Sequence, residues 1–162
     1  MTTYTAILVS APMLAACIID VRRRIIPDIS VMAIAVIGVA TALLSGAPAW
    51  PLAAGGICAV GGLIAVYFGA WGWGDAKLLA ATGLAAPPEA LPMLLLSTTL
   101  AGGAIAGMLL LLRRPLLAGV LVLPAGAPRW LRAEATRLRR APSVPYAIAI
   151  AAGFAAAVSI GA

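Results

Sequence analysis

The sequence predicts an all-α integral membrane protein, a single domain over residues 1–162 that forms a six-transmembrane-helix bundle. Of the 162 residues, 64% are hydrophobic and only 10% are charged, which is more apolar surface than a soluble domain of this length can bury. The apolar residues fall in long runs of the kind that cross a bilayer. The charged residues stand between these runs, where loops of membrane proteins carry their charge.

Six apolar runs give the predicted helices. They span approximately residues 4–20, 29–46, 51–70, 75–86, 89–112 and 145–162. Asp28 follows Pro27 and is suited to cap the first turn of the second helix. The fourth run, 75–86, gives about 18 Å of helix against a hydrocarbon core of about 30 Å. We therefore expect the fourth helix to be short, tilted or accommodated by a thinned bilayer.

The positions of the basic residues favour six crossings over five. All 11 Lys and Arg lie within residues 22–24, 77, 113–114 and 129–140. With six crossings these segments share one side of the membrane, and the opposite loops carry only Glu89. Without the fourth crossing, the seven Arg from position 113 onward would face away from residues 22–24. Basic loops stay inside, so we expect a plasma-membrane protein with these loops in the cytoplasm and both termini outside.

The predicted cytoplasmic loop 113–142 is strongly basic. Within it, Leu131, Ala135 and Leu138 recur at helical spacing, with arginines on the other faces. This pattern is typical of a surface helix that binds anionic lipid headgroups, and a substrate-docking helix is the alternative. Membrane orientation accounts for the net charge of +6, so no nucleic-acid partner is predicted.

The residue types present restrict the possible chemistry. The chain has no His, which excludes a Ser-His-Asp triad, a Cys-His pair and any His-ligated metal site. Cys17 and Cys58 lie singly in different runs and form no metal-binding motif. Carboxylates, hydroxyls, thiols and one lysine remain. We predict neither a metal ion nor a cofactor.

Asp20 and Asp75 are the candidate catalytic residues. Asp20 ends the first predicted helix and Asp75 opens the fourth, so the bundle can bring them together. Two close carboxylates do not ionise together, and one can act as base while the other keeps a proton. Gly72 and Gly74 would let a peptide substrate approach the backbone; alternatively, this segment is a turn with Asp75 as a helix N-terminal charge. Lys77 either extends to the headgroups or lowers the pKa of a neighbouring carboxylate.

Three segments resemble, in order, the motifs of the type IV prepilin peptidases, which are GxGD-type aspartic proteases of the membrane. They are DVRRRIIPD at 20–28, GWGDAKLLA at 72–80 and VPYAIAIAAG at 144–153. The resemblance implies that Asp20 and Asp75 form the catalytic pair. It also implies that the substrate is a prepilin whose short basic leader is removed on the cytoplasmic side.

The compact chain looks like the peptidases of tight-adherence (Tad/Flp) pilus systems. It has no paired Cys-x-x-Cys motifs, which mark the longer bifunctional members, so we expect no N-methyltransferase activity. Asp28 stands where the family often has Asn, which adds a third acid near the pair.

Two other classes of function are compatible with the same residues. One is a non-catalytic membrane scaffold subunit of a pilus or secretion system, and the other is a small carboxylate-dependent transporter. No candidate carboxylate lies at the middle of a predicted span, which disfavours transport. A Ser-Lys peptidase using Lys77 is disfavoured because no serine lies near it in sequence.

Overall fold

The computed structural model describes residues 2–46, 49–117, 126, 128, 129, 132, 136 and 144–160. These residues form six α-helices and one 3₁₀ turn and contain no strand, which confirms the predicted all-α class. The helices are α1 (Thr2–Arg23), α2 (Asp28–Leu44), α3 (Ala49–Tyr67), α4 (Trp73–Ala85), α5 (Leu91–Leu117) and α6 (Tyr146–Ile160), and the 3₁₀ turn is Pro88–Ala90.

Three helices are long and apolar enough to cross a membrane: Tyr4–Arg23 in α1, Ala49–Tyr67 in α3 and Leu91–Leu111 in α5. The apolar helices α2 and α6 have 17 and 15 residues, and α4 has 13. By length and composition the structure thus supports three membrane spans, and the remaining three crossings stay a prediction.

Two helices end at positions that the backbone conformation determines, and these differ from the ends of the apolar runs in the sequence. α1 continues past Asp20 to Arg23, because a charged side chain does not interrupt backbone hydrogen bonding. It stops at Arg24, which has a φ of 57° and donates its N–H to the carbonyl oxygen of Asp20 at 2.7 Å. α3 ends at Tyr67, three residues before the predicted end, and Gly69 follows with a φ of 70° in the left-handed region that glycine adopts without strain.

The predicted cytoplasmic loop is described only in part. α5 continues to Leu117, five residues into the segment that the apolar pattern assigned to the loop. Beyond it, the predicted surface helix around residues 131–138 lies outside the described residues, apart from isolated positions such as Arg132 and Thr136.

The short helix α4 lies at the centre of the bundle. It packs against α2 and α3 along its length and also contacts α6, while α5 packs mainly against α6. Seven of its 13 residues are buried. Leu78 and Thr82 are fully buried, and the Thr82 hydroxyl donates to the Leu78 carbonyl at 2.7 Å, which satisfies a polar group that burial would otherwise penalise. The first turn of this buried helix carries Asp75.

Close contact between α3 and α4 depends on glycine at selected positions. A Cβ added to Gly62 would lie 2.9 Å from both Cα and Cβ of Ala76, whereas a Cβ added to Gly61 would meet nothing within 4 Å. Gly62 therefore allows α3 to approach the first turns of α4. Gly61, its neighbour in sequence, has no such role.

This difference predicts opposite effects for two adjacent substitutions. Gly62→Ala should lower the free energy of unfolding by about 1–3 kcal/mol, because the added methyl group overpacks the α3–α4 contact. Gly61→Ala should leave it unchanged or raise it by up to about 1 kcal/mol, since alanine is the better helix former. Unfolding of the two purified variants in the same detergent measures the difference. Equal effects would contradict this account of the interface.

Candidate active site

Asp20 and Asp75 face the same space, although they lie 55 positions apart in sequence. Two adjoining clefts of about 300 and 380 Å³ meet where these carboxylates lie. Both clefts are lined by Asp20, Arg24, Gly72 and Asp75.

The clefts differ in their remaining walls. The aromatic cleft is completed by Gly69, Ala70, Trp71, Val144 and Tyr146. The charged cleft is completed by Ile25, Ile26, Asp28, Trp73, Gly74 and Lys77. Both sequence-predicted glycines therefore line the site, Gly72 at the junction and Gly74 in the charged cleft.

Asp20 is held by the N-terminus of a different helix. Its side chain is buried, with 6% of its surface exposed, and its Oδ2 accepts a hydrogen bond from the backbone N–H of Ala147 at 3.3 Å. Ala147 is the second residue of α6, so this N–H has no acceptor within its own helix. The positive end of the α6 dipole also favours an acidic group here. One turn earlier in α1, the Cys17 thiol donates to the carbonyl oxygen of Ala147 at 3.4 Å.

Asp75 is held by the N-terminus of its own helix. It is the third residue of α4, and its Oδ2 accepts a hydrogen bond from the backbone N–H of Gly72 at 3.0 Å. An acidic side chain that bonds back to the N-cap N–H is a common way to close the start of a helix. A Cβ at Gly72 would lie 3.3 Å from the same Oδ2, so glycine keeps room for this hydrogen bond.

The charges around the pair act in opposite directions: each carboxylate opposes ionisation of the other, whereas the charge of Arg24 favours an ionised Asp20. Two carboxylates in one partly buried site resist being ionised together, since each negative charge raises the energy of the other. Arg24 lies close enough for its positive charge to act on Asp20. In each carboxylate Oδ2 accepts the hydrogen bond from the backbone N–H. This hydrogen bond does not involve Oδ1. The arrangement can therefore supply one base and one acid to a bound molecule.

The third acid of the region, Asp28, does not cap a helix, so that prediction was wrong. The N-cap of α2 is Pro27, and no side chain caps this helix end by a hydrogen bond. Asp28 is one residue inside the helix, from where its carboxylate is poorly placed to reach the free N–H groups. Instead its Oδ1 accepts a hydrogen bond from Lys77 Nζ at 3.0 Å. The lysine that the sequence offered to a neighbouring carboxylate thus pairs with Asp28.

The sequence did not predict two aromatic residues that line the site. The rings of Trp71 and Tyr146 pack with their centroids 5.1 Å apart and form one wall of the aromatic cleft. The half-buried Trp71 side chain packs against the core. Tyr146 belongs to the third quoted segment, which is the signal that pointed to it. Ala147 contributes through its backbone, which no side-chain pattern reveals.

Comparison with known protein families gives a match. A model of the type IV leader peptidase family matches residues 7–107, more than half of the chain, and this range includes Asp20 and Asp75. No curated protein and no solved structure matches the chain significantly.

The hydrogen bond from the Ala147 N–H to Asp20 predicts how substitution of Asp20 changes the exchange rate of this amide. Asp20→Ala removes the acceptor for the Ala147 N–H, so hydrogen exchange of this amide should accelerate by about tenfold, which corresponds to the loss of a helix cap worth about 1.4 kcal/mol. Asp20→Asn keeps a side-chain oxygen in place and should exchange at nearly the rate of the unsubstituted protein. Amide-resolved hydrogen exchange measures both. Identical exchange in the Ala and Asn variants would contradict the assigned hydrogen bond.

Proposed function

The chain belongs to the type IV leader peptidase family, and from this premise we propose that it is an aspartic endopeptidase of the membrane. Its proposed substrates are prepilin-like precursors, from which it removes the leader peptide at the cytoplasmic face. The observation that carries this proposal is the position of Asp20 and Asp75 at the junction of two clefts, each anchored by a backbone N–H at a helix N-terminus.

The proposed reaction uses the two carboxylates around one water molecule. The ionised carboxylate removes a proton from the water as its oxygen attacks the carbonyl carbon of the scissile peptide bond. The protonated carboxyl group donates to the carbonyl oxygen, where negative charge develops. The tetrahedral intermediate then breaks at its C–N bond as a proton passes to the leaving nitrogen. No metal ion or cofactor takes part in this scheme.

The two clefts suggest a path for the substrate. A peptide in extended conformation can enter one cleft, pass Gly72 at the junction and leave through the other. In this path the Trp71–Tyr146 wall contacts side chains on one side of the scissile bond. The charged cleft contacts those on the other side. Gly72 is exposed and presents backbone without a side chain, which permits close approach of the substrate. Gly74 lines the cleft, but the position of its missing side chain is covered by Ile26.

The proposed setting is the plasma membrane, with six crossings, both termini outside and the active site in the cytoplasm. The basic residues support this orientation, because the predicted loops that carry them then share one side. α4 has 13 residues, or about 20 Å of helix. It lies inside the bundle and contacts α2, α3 and α6, so neighbouring helices shield a segment shorter than the bilayer. Anionic lipid headgroups are the proposed partner of the basic loop.

Substitution of either aspartate tests the catalytic proposal. Asp20→Asn and Asp75→Asn each keep an oxygen for the backbone hydrogen bond but remove the group that exchanges a proton. We expect each to lower cleavage by at least about 100-fold. The assay uses the purified full-length protein in lipid vesicles and a prepilin with a basic leader, and mass spectrometry measures the released leader.

Glu89→Gln is the matched control, since Glu89 is an exposed acid outside the clefts, and it should cleave at the unsubstituted rate. Undiminished cleavage by either aspartate variant would refute the paired mechanism. If a protein with both substitutions still supports pilus assembly, the scaffold role is the better explanation.

If α4 crosses the membrane, the residues beyond its two ends lie on opposite sides of the bilayer. Glu89 and Phe68 are exposed residues beyond opposite ends of α4. In intact spheroplasts, an impermeant maleimide should label the Glu89→Cys variant but not the Phe68→Cys variant, and both should label after permeabilisation. The unsubstituted protein, with Cys17 and Cys58, provides the background. Labelling of both variants from the same side would exclude a crossing by α4.

A further inference from the structure

An exposed ion pair joins two helices beside the catalytic pair. Lys77 Nζ lies 3.0 Å from Asp28 Oδ1, and the two side chains are 55% and 73% exposed. Asp28 is the first residue of α2, and Lys77 is the fifth residue of α4. Exposed ion pairs contribute little to the stability of a whole protein, so the effect of this pair is expected to be local.

The pair is close in the chain to both carboxylates. Asp28 follows Asp20 by eight residues, Lys77 follows Asp75 by two, and all four line the charged cleft. α1 and α4 touch each other at few points, whereas α2 packs extensively on α4. α1 is also held by packing on α2 and α6, and the linking segment, residues 24–28, is the covalent connection from Asp20 to the α2–α4 contact.

The linking segment is held against α4 at two places. Gly74 lies under Ile26, and a Cβ on this glycine would be 3.1 Å from the Ile26 Cβ. The second contact is the Asp28–Lys77 pair. These contacts fall on either side of Asp75 along α4.

The segment begins with a strained residue. Arg24 has a φ of 57°, a left-handed conformation that a side chain of this size seldom adopts. Such a conformation persists when the surrounding structure holds it. The contacts of Ile26 and Asp28 with α4 restrain the residues that directly follow Arg24.

We infer that the Asp28–Lys77 ion pair is a latch that holds the linking segment on α4 and thereby sets the separation of Asp20 and Asp75. Its effect on reaction rate rests on the proposed function. Asp28 and Lys77 are positioning residues, and neither exchanges a proton in the reaction. Because small displacements of reacting groups lower rates strongly, loosening the latch lowers kcat.

Charge reversal tests the latch. The variants are Asp28→Lys, Lys77→Asp and the double variant Asp28→Lys/Lys77→Asp, which restores a pair of opposite polarity. Each single reversal should lower kcat by about fivefold, the upper range for an exposed pair, and KM changes as well because both residues line the cleft proposed to contact the substrate. The double variant should recover to within about twofold of the unsubstituted kcat. Glu89→Lys, which reverses an exposed acid elsewhere, should have no effect.

Salt provides a second test of the same pair. Exposed charges are screened at high ionic strength, so kcat of the unsubstituted protein should fall toward that of the single variants as NaCl is raised to about 1 M. Each single variant places two like charges together, and salt screens their repulsion as well, so its kcat should rise or stay constant. A double variant that stays as slow as the single variants, or single variants with unchanged kcat, would overturn the latch.

Hydrogen exchange separates this inference from the proposed function, because it needs no cleavage. Peptides covering residues 24–28 and 72–77 should exchange faster in each single variant and return to the original rate in the double variant. Unchanged exchange would overturn the latch whatever the activity. If exchange behaves as expected while Asp20→Asn and Asp75→Asn still cleave, the latch holds and the proposed aspartic mechanism fails.

Discussion

The site depends on backbone N–H groups at helix N-termini, because one such group holds each of the two carboxylates. The N–H of Ala147 at the start of α6 holds Asp20, and the N–H of Gly72 at the start of α4 holds Asp75. These donors have no acceptor within their own helices, so each carboxylate supplies the hydrogen-bond acceptor that the helix itself lacks. The start of α6 must consequently lie against the last turns of α1. The same hydrogen bonds thus satisfy both the buried carboxylates and the free N–H groups at the two helix N-termini.

Among the described α-helices, α4 is the shortest and has the largest share of buried residues. Asp75 lies in the first turn of α4, which packs against both α2 and α3. Small residues make this possible: Gly62 of α3 lies against Ala76, which is the neighbour of Asp75 in sequence. Packing of the helices and placement of the carboxylate are therefore linked through adjacent residues.

Much of the fold and part of the site could be predicted from the sequence. Apolar runs separated by charges, prolines and glycines predicted the all-helical class, because burial in lipid demands long apolar helices. The lack of histidine directed attention to carboxylates, and the segments around Asp20 and Asp75 carried the family resemblance that the family match supports. Helix ends were harder, since the left-handed conformations of Arg24 and Gly69 act on the backbone and leave no trace in hydropathy. The partner of Asp28 was missed because Lys77 reaches it only through the packing of α2 on α4.

The hydrogen bond from Ala147 has a consequence for evolution of the protein. The acceptor at position 20 must offer a carboxylate for the proposed reaction. The donor at position 147 is a peptide group, which every amino acid except proline provides. Position 147 can therefore drift in sequence, within the volume that the neighbouring helices allow, while its contribution to the site is preserved. Comparison of side chains among distant homologues would undervalue such a position, and only the conserved geometry would show its importance.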